Sequence, residues 1–145
     1  MKKRTGMILT AITAIWICVI IWFTLQTGDE SSQTSGRIAA LLIKLLSIDD
    51  PGKLELVIRK LAHFSEYAVL GFLSFLTVKK LKVKTWFSIL SVVLVACCDE
   101  FIQSFVPGRG PSPVDVMIDC SGGALAICIL TVLTFCRHKH THLSQ

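Results

Sequence analysis

The sequence predicts an all-α membrane protein of about four transmembrane helices, with a short interfacial or re-entrant segment after the first and both termini cytoplasmic. Three observations lead there. Hydrophobic residues make up 52% of the 145-residue chain and charged residues only 17%, where a soluble domain of this size needs a more polar surface. Long apolar runs recur along the chain, and a hydrocarbon core of roughly 30 Å takes about 20 apolar residues per spanning helix. The basic residues collect in alternate connecting segments. The spans leave no length for a separate soluble domain, so residues 1–145 read as a single membrane domain.

Each element follows from its own signals. The first span is read at residues 7–25, behind Lys2, Lys3 and Arg4. Its apolar stretch exceeds the roughly 7–15 residues of a signal-peptide core. The following Gln26-Thr27-Gly28-Asp29-Glu30 offers no small-residue cleavage site, so the span reads as uncleaved. A polar connector with Ser31, Ser32, Ser35 and Gly36 comes next. Then Ile38–Leu46, too short to cross, reads as a helix lying at the interface or tucked into one leaflet. Asp49-Asp50-Pro51-Gly52 closes that segment and opens the next helix, with Asp50 as N-cap and Pro51 in the first turn. That helix is expected over 52–78, its membrane portion at 61–78. A third span is read at 85–105, broken by Pro107-Gly108-Arg109-Gly110-Pro111-Ser112-Pro113. A fourth is read at 114–136, before a polar, flexible tail carrying His138, His140 and His142.

Orientation comes from Lys and Arg. Lys2, Lys3 and Arg4 precede the first span, Lys79, Lys80, Lys82 and Lys84 link the second and third, and Arg137 and Lys139 follow the fourth. With four spans these segments share one side, which the positive-inside rule makes cytoplasmic. All ten Asp and Glu residues then fall on the opposite half. The net charge of +5 is therefore topological, and nucleic acid is excluded as a partner. The six cysteines lie in or beside apolar runs without C-x-x-C spacing, which favours helix packing over disulfides or structural zinc.

The informative residues are charges at span ends. A charge at the bilayer centre costs about 2.5–3.5 kcal/mol even on the lenient insertion scale, so such groups pair and face the bundle interior. Arg59, His63 and Glu66 stand at i, i+4 and i+7, on one helical face, with Tyr67 one turn beyond His63 and Gly71 small enough for close helix approach. Asp99 and Gln103 stand one turn apart, with Glu100 beside them. Arg109 lies in the Pro/Gly loop, and Asp115 and Asp119 stand one turn apart at the start of the fourth span, ahead of Gly122 and Gly123. All three clusters fall at the same membrane face. Lys53, Glu55 and Lys60 read as solvated interface residues. The His63-x-x-Glu66 spacing with a remote acid is compatible with a divalent cation, but the same residues can satisfy one another as ion pairs, so neither a metal nor a cofactor is assigned.

Three stretches resemble the VanZ-like family, named for a membrane protein associated with teicoplanin resistance. They are Arg59-Lys60-Leu61-Ala62-His63-Phe64-Ser65-Glu66-Tyr67-Ala68-Val69-Leu70-Gly71, then Asp99-Glu100-Phe101-Ile102-Gln103-Ser104-Phe105-Val106-Pro107-Gly108-Arg109, then Asp115-Val116-Met117-Ile118-Asp119 with Gly122-Gly123. The first-span exit, Phe23-Thr24-Leu25-Gln26-Thr27-Gly28, is similar to the family's Ser/Gln-rich exit. The resemblance implies a multi-span protein and lowered susceptibility to a lipid-bearing glycopeptide. It brings no settled reaction mechanism.

Three functions compete for these residues. In an outward-facing enzyme modifying an envelope lipid or lipid-linked precursor, His63, Glu66, Asp99 and Glu100 would be the catalytic candidates. Arg59, Tyr67, Gln103, Arg109, Asp115 and Asp119 would bind substrate, the arginines holding phosphate or carboxylate groups. A non-catalytic protein would use the same pocket to bind or shield a precursor or glycopeptide antibiotic, leaving its ligand chemically unchanged. An ion- or proton-coupled transporter is disfavoured, because Phe72–Val78 and Ser88–Cys97 carry no charged pathway. Membrane lipids are partners in every case. A Ser-His-Asp hydrolase lacks the G-x-S-x-G turn and an oxyanion-hole loop.

Overall fold

The computed structural model describes residues 2–46 and 50–143, and among these the regular elements are all α-helices. α1 spans Lys2–Thr24, α2 Gly28–Leu46, α3 Pro51–Leu81, α4 Trp86–Gln103 and α5 Pro113–Leu143. α1, α3, α4 and α5 are long and apolar enough to cross a membrane; α2 is not among them. At about 1.5 Å per residue, the 18 residues of α4 reach roughly 27 Å, close to a hydrocarbon core of about 30 Å. The 31 residues of α3 and of α5 reach about 46 Å, so both helices project beyond such a core.

α3 and α5 form the most extensive helix pair, running parallel from Lys60 beside Asp115 down to Phe72 beside Leu130. Glycine is required where they cross. A Cβ on Gly71 would collide with the carbonyl of Gly123, and one on Gly122 with the carbonyl of Phe64. Without side chains at these points the two backbones touch, the usual way membrane helices gain packing energy. α1 and α4 close the bundle around a buried core of Ile20, Tyr67, Leu70, Phe75, Val92, Ala96 and Ile127. Hydroxyl pairs tie the layers together, Thr13 to Thr77 at 3.0 Å and Ser91 to Ser74 at 3.0 Å. Large apolar side chains cover the outside, among them Met7, Ile15, Phe101, Met117 and Phe135. That coat suits lipid and would be an aggregation surface in water. Five of the six free cysteines also lie on the exposed surface, facing outward instead of packing between helices as expected.

Several boundaries differ from expectation. The Ser31–Gly36 stretch is not an irregular connector but part of α2. A reciprocal cap explains it: Thr27 N–H donates to Glu30 Oε2 at 2.9 Å while Glu30 N–H donates to Thr27 Oγ1 at 3.3 Å. Thr27-x-x-Glu30 is a capping box, with Asp29 and Glu30 favourably placed in the first turn. α2 then packs along the first turns of α3, Ser35 donating to Glu55 at 3.4 Å, so Glu55 is partnered instead of simply solvated. Asp50 caps α3 as expected, accepting from Lys53 N–H at 3.2 Å, and Pro51 begins the helix; Asp49 lies outside the described residues. α4 ends at Gln103, and α5 continues as helix through Leu143 instead of giving way to a flexible tail after 136.

α3 ends at Leu81 and is capped by Lys82, whose φ of 59° is left-handed and whose N–H donates to Lys79 O, while Val83 N–H returns to Val78 O at 2.9 Å. This bonding satisfies the last carbonyls and turns the chain into α4.

Candidate functional site

One end of the bundle collects the ionisable groups of three helices and a loop. α3 supplies Arg59, Lys60, His63 and Glu66; α4 supplies Asp99, Glu100 and Gln103; α5 supplies Asp115 and Asp119; Arg109 comes from the loop between α4 and α5. That loop is held by the corner between α1 and α2. Gly28 N–H donates to Pro107 O at 3.1 Å, and Gly108, with φ of 76°, packs on the Gly28 backbone.

The carboxylates are positioned in different ways. Asp99 is buried and accepts from the Thr24 hydroxyl at the end of α1 and from Gln103 Nε2 at 3.1 Å. Glu100 accepts from the Ser112 backbone N–H at 2.5 Å and so pins the start of α5, where Ser112 itself caps Asp115 N–H at 3.3 Å. Asp115 pairs with Lys60 at 3.3 Å. Asp119 has 0% of its surface exposed, and neither of its oxygens has a hydrogen-bond partner. Its nearest base is His63, with Nδ1 3.7 Å from Oδ1.

Two small cavities open here. One, of about 130 Å³, is lined by Arg59, Lys60, His63, Gln103, Arg109 and Asp115 among others. The second, of about 120 Å³, lies toward α2 and is bounded by Gln26, Ser31, Ser35, Glu66 and the same Arg59, His63 and Arg109. Among the described residues neither the Arg59 nor the Arg109 guanidinium makes a hydrogen bond or ion pair. Burial, and then the neighbouring Arg59 charge, push the Arg109 guanidinium below its ordinary pKa, against the opposing pull of Asp99, Glu100 and Glu66. It remains cationic, since arginine is not deprotonated in proteins.

The VanZ/LLP1 family model matches residues 9–134. The chain belongs to the VanZ-like family. Four apolar helices and this family make it a multi-pass membrane protein. No curated protein and no solved structure gives a significant match.

In this VanZ-like chain the residues singled out from sequence occupy distinct places. Arg59, His63, Gln103, Arg109 and Asp115 line the first cavity, and Glu66 lines the second. Asp99 and Asp119 lie behind His63, their carboxylates drawn with it into one group. Glu100 turns away to the backbone of the loop, a positioning contact. Tyr67 is fully buried in the core and walls neither cavity; its hydroxyl, without a hydrogen-bond partner, lies within electrostatic reach of Asp99, Asp119 and Glu66. Lys60 is not a free snorkelling cation but the partner of Asp115.

Sequence reasoning passed over Thr24 and Ser112, which orient Asp99 and frame the loop. Ser112 was legible as a cap, standing just before Pro113 and three residues ahead of Asp115. Thr24 carried no local signal, because its partner is 75 residues away.

Proposed function

We propose that this protein takes the phosphate-bearing headgroup of an envelope lipid, or of a lipid-linked precursor, into the paired cavities and modifies it by acid–base chemistry. The observation that carries the reading is that Arg59, His63 and Arg109 are shared by both cavities, with neither guanidinium committed to an ion pair among the described residues. Two planar cationic forks beside an imidazole suit a phosphate group. His63 and Glu66, one turn apart on α3, would exchange the proton, with Glu66 as base and His63 as its acid partner or orienter. Positive-inside topology puts both termini in the cytoplasm and this end of the bundle at the outer headgroup layer.

Lowered teicoplanin susceptibility would follow from an altered envelope, not from capture of the drug. Cavities of about 130 and 120 Å³ fall well below the roughly 300 Å³ at which drug-sized ligand pockets begin. Transport is disfavoured because the core beneath the site is closed by Leu70, Phe75, Val92 and Ile127.

A binding or shielding role without chemistry is the second reading. It is favoured by the commitment of two candidate acids to structural bonds, Asp99 to Thr24 and Gln103, and Glu100 to Ser112. The two readings separate when purified protein in nanodiscs is incubated with lipid-linked precursors and anionic phospholipids and the products are followed by mass spectrometry. Catalysis predicts a product that disappears in His63→Ala and Glu66→Gln. Pure binding predicts an unchanged lipid whose retention falls in Arg59→Gln and Arg109→Gln. No turnover and no retention of any lipid in the panel would overturn both.

A further inference from the structure

Asp119 poses a problem that the headgroup reading leaves unsolved. Its side chain has no exposed surface and both oxygens lack a partner. An uncompensated carboxylate at such a depth is expensive, because desolvation far exceeds what distant charges return. His63 does not solve it as placed: its Nδ1 is equally unpartnered and stands 3.7 Å from Asp119 Oδ1, beyond the roughly 2.7–3.2 Å of an N–H···O bond.

We propose that His63, Asp99 and Asp119 bind a divalent first-row metal cation of the Zn²⁺ type. One nitrogen or oxygen from each lies within 4.8 Å of the others. Zn–N and Zn–O distances of about 2.0–2.2 Å at a tetrahedral angle place neighbouring ligand atoms about 3.4 Å apart, so the His63–Asp119 gap needs to close by only a few tenths of an ångström. The cation would give the unpartnered atoms of Asp119 and His63 a shared partner. Asp99 retains lone pairs for it, since each carboxylate oxygen offers two and only one donor reaches each. Thr24 and Gln103 then act as the outer groups that orient a metal-bound carboxylate.

The make-up of the cluster favours the same conclusion. Five carboxyl groups, on Glu66, Asp99, Glu100, Asp115 and Asp119, stand against three basic side chains, Arg59, Lys60 and Arg109, so acidic ligands outnumber the bases that could pair with them. A mixed imidazole–carboxylate set prefers Zn²⁺ to Mg²⁺. Three protein ligands leave a coordination position open, as in metal sites that bind substrate. His63 also walls both cavities, so in the headgroup reading the open position meets a phosphate oxygen, and His63, with Nδ1 on the cation, keeps only Nε2–H and acts as the orienter of Glu66, not as its acid partner. The site itself stands without that reading, and its test uses no lipid substrate.

The test is made on the full chain in detergent with His138→Ala, His140→Ala and His142→Ala, which removes the C-terminal histidines as competing ligands. After chelator treatment, Zn²⁺ alone is titrated by equilibrium dialysis with elemental analysis. One equivalent per chain is expected, with affinity falling at least about tenfold in Asp119→Asn and about tenfold in Thr24→Val. Zn²⁺ should also raise the thermal midpoint of the parent chain more than Mg²⁺ at equal concentration, a readout that needs no site variant. Absence of saturable binding, equal binding in Asp119→Asn, or no thermal shift with Zn²⁺ would overturn the proposal.

Discussion

Asp99 of α4 accepts a hydrogen bond from the hydroxyl of Thr24, the last residue of α1, and both side chains are buried. The bond joins the end of the first span to the middle of the acidic cluster, so the bundle's closure and the orientation of a site carboxylate depend on the same contact.

Thr24→Val keeps the shape and removes the donor, leaving a buried carboxylate oxygen without its partner. The expected cost is about 1–3 kcal/mol, with Thr24→Ser largely restoring the parent stability. Thermal or denaturant unfolding in micelles reads the difference, and equal stability of the Val variant would show that the bond contributes nothing.

Gly71→Ala should destabilise the bundle by about 1–3 kcal/mol, since the added methyl meets the Gly123 backbone, which has no side-chain freedom with which to yield. Gly110→Ala serves as the comparison: nothing stands within 4 Å of its added Cβ, and a change within about 0.5 kcal/mol is expected. Similar losses in the two variants would argue against the close α3–α5 crossing.

The Lys60–Asp115 pair is partly open to solvent, with side-chain exposures of 37% and 34%. A double-mutant cycle with Lys60→Met and Asp115→Asn should therefore return a coupling below about 1 kcal/mol. A larger coupling would mean that the pair is shielded from solvent in the membrane.

Membrane orientation is open to direct labelling. In spheroplasts, a cysteine at Gly110→Cys should react with a membrane-impermeant maleimide from outside, whereas Lys84→Cys should react only after lysis. The unsubstituted chain sets the background from its own thiols. The reverse pattern would turn the cavities toward the cytoplasm and remove the envelope-facing reading.

How far the sequence reached depended on the range of each interaction. Span number and approximate position were legible because apolar run length is a local property that the bilayer thickness selects, as in Trp86–Gln103. The Asp50 cap was legible for the same reason. The α2 start was equally local, written in Thr27-x-x-Glu30, but its serines resembled a connector more than a helix. Within the site, helical spacing placed Arg59, His63 and Glu66 on one face of α3, and the structure brings all three to the cavities.

The sequence by itself determined that this chain is a four-span VanZ-like membrane protein with its acids and two arginines gathered near span ends. Only the tertiary structure decided which partner each group takes: Asp99 with Thr24, Glu100 with Ser112, Lys60 with Asp115, and Asp119 with none. The physical reason is that periodicity defines a helix's face but not its rotation or depth against its neighbours. Those are set where Gly71 meets Gly123 and Gly122 meets Phe64, contacts between backbones that no local pattern specifies.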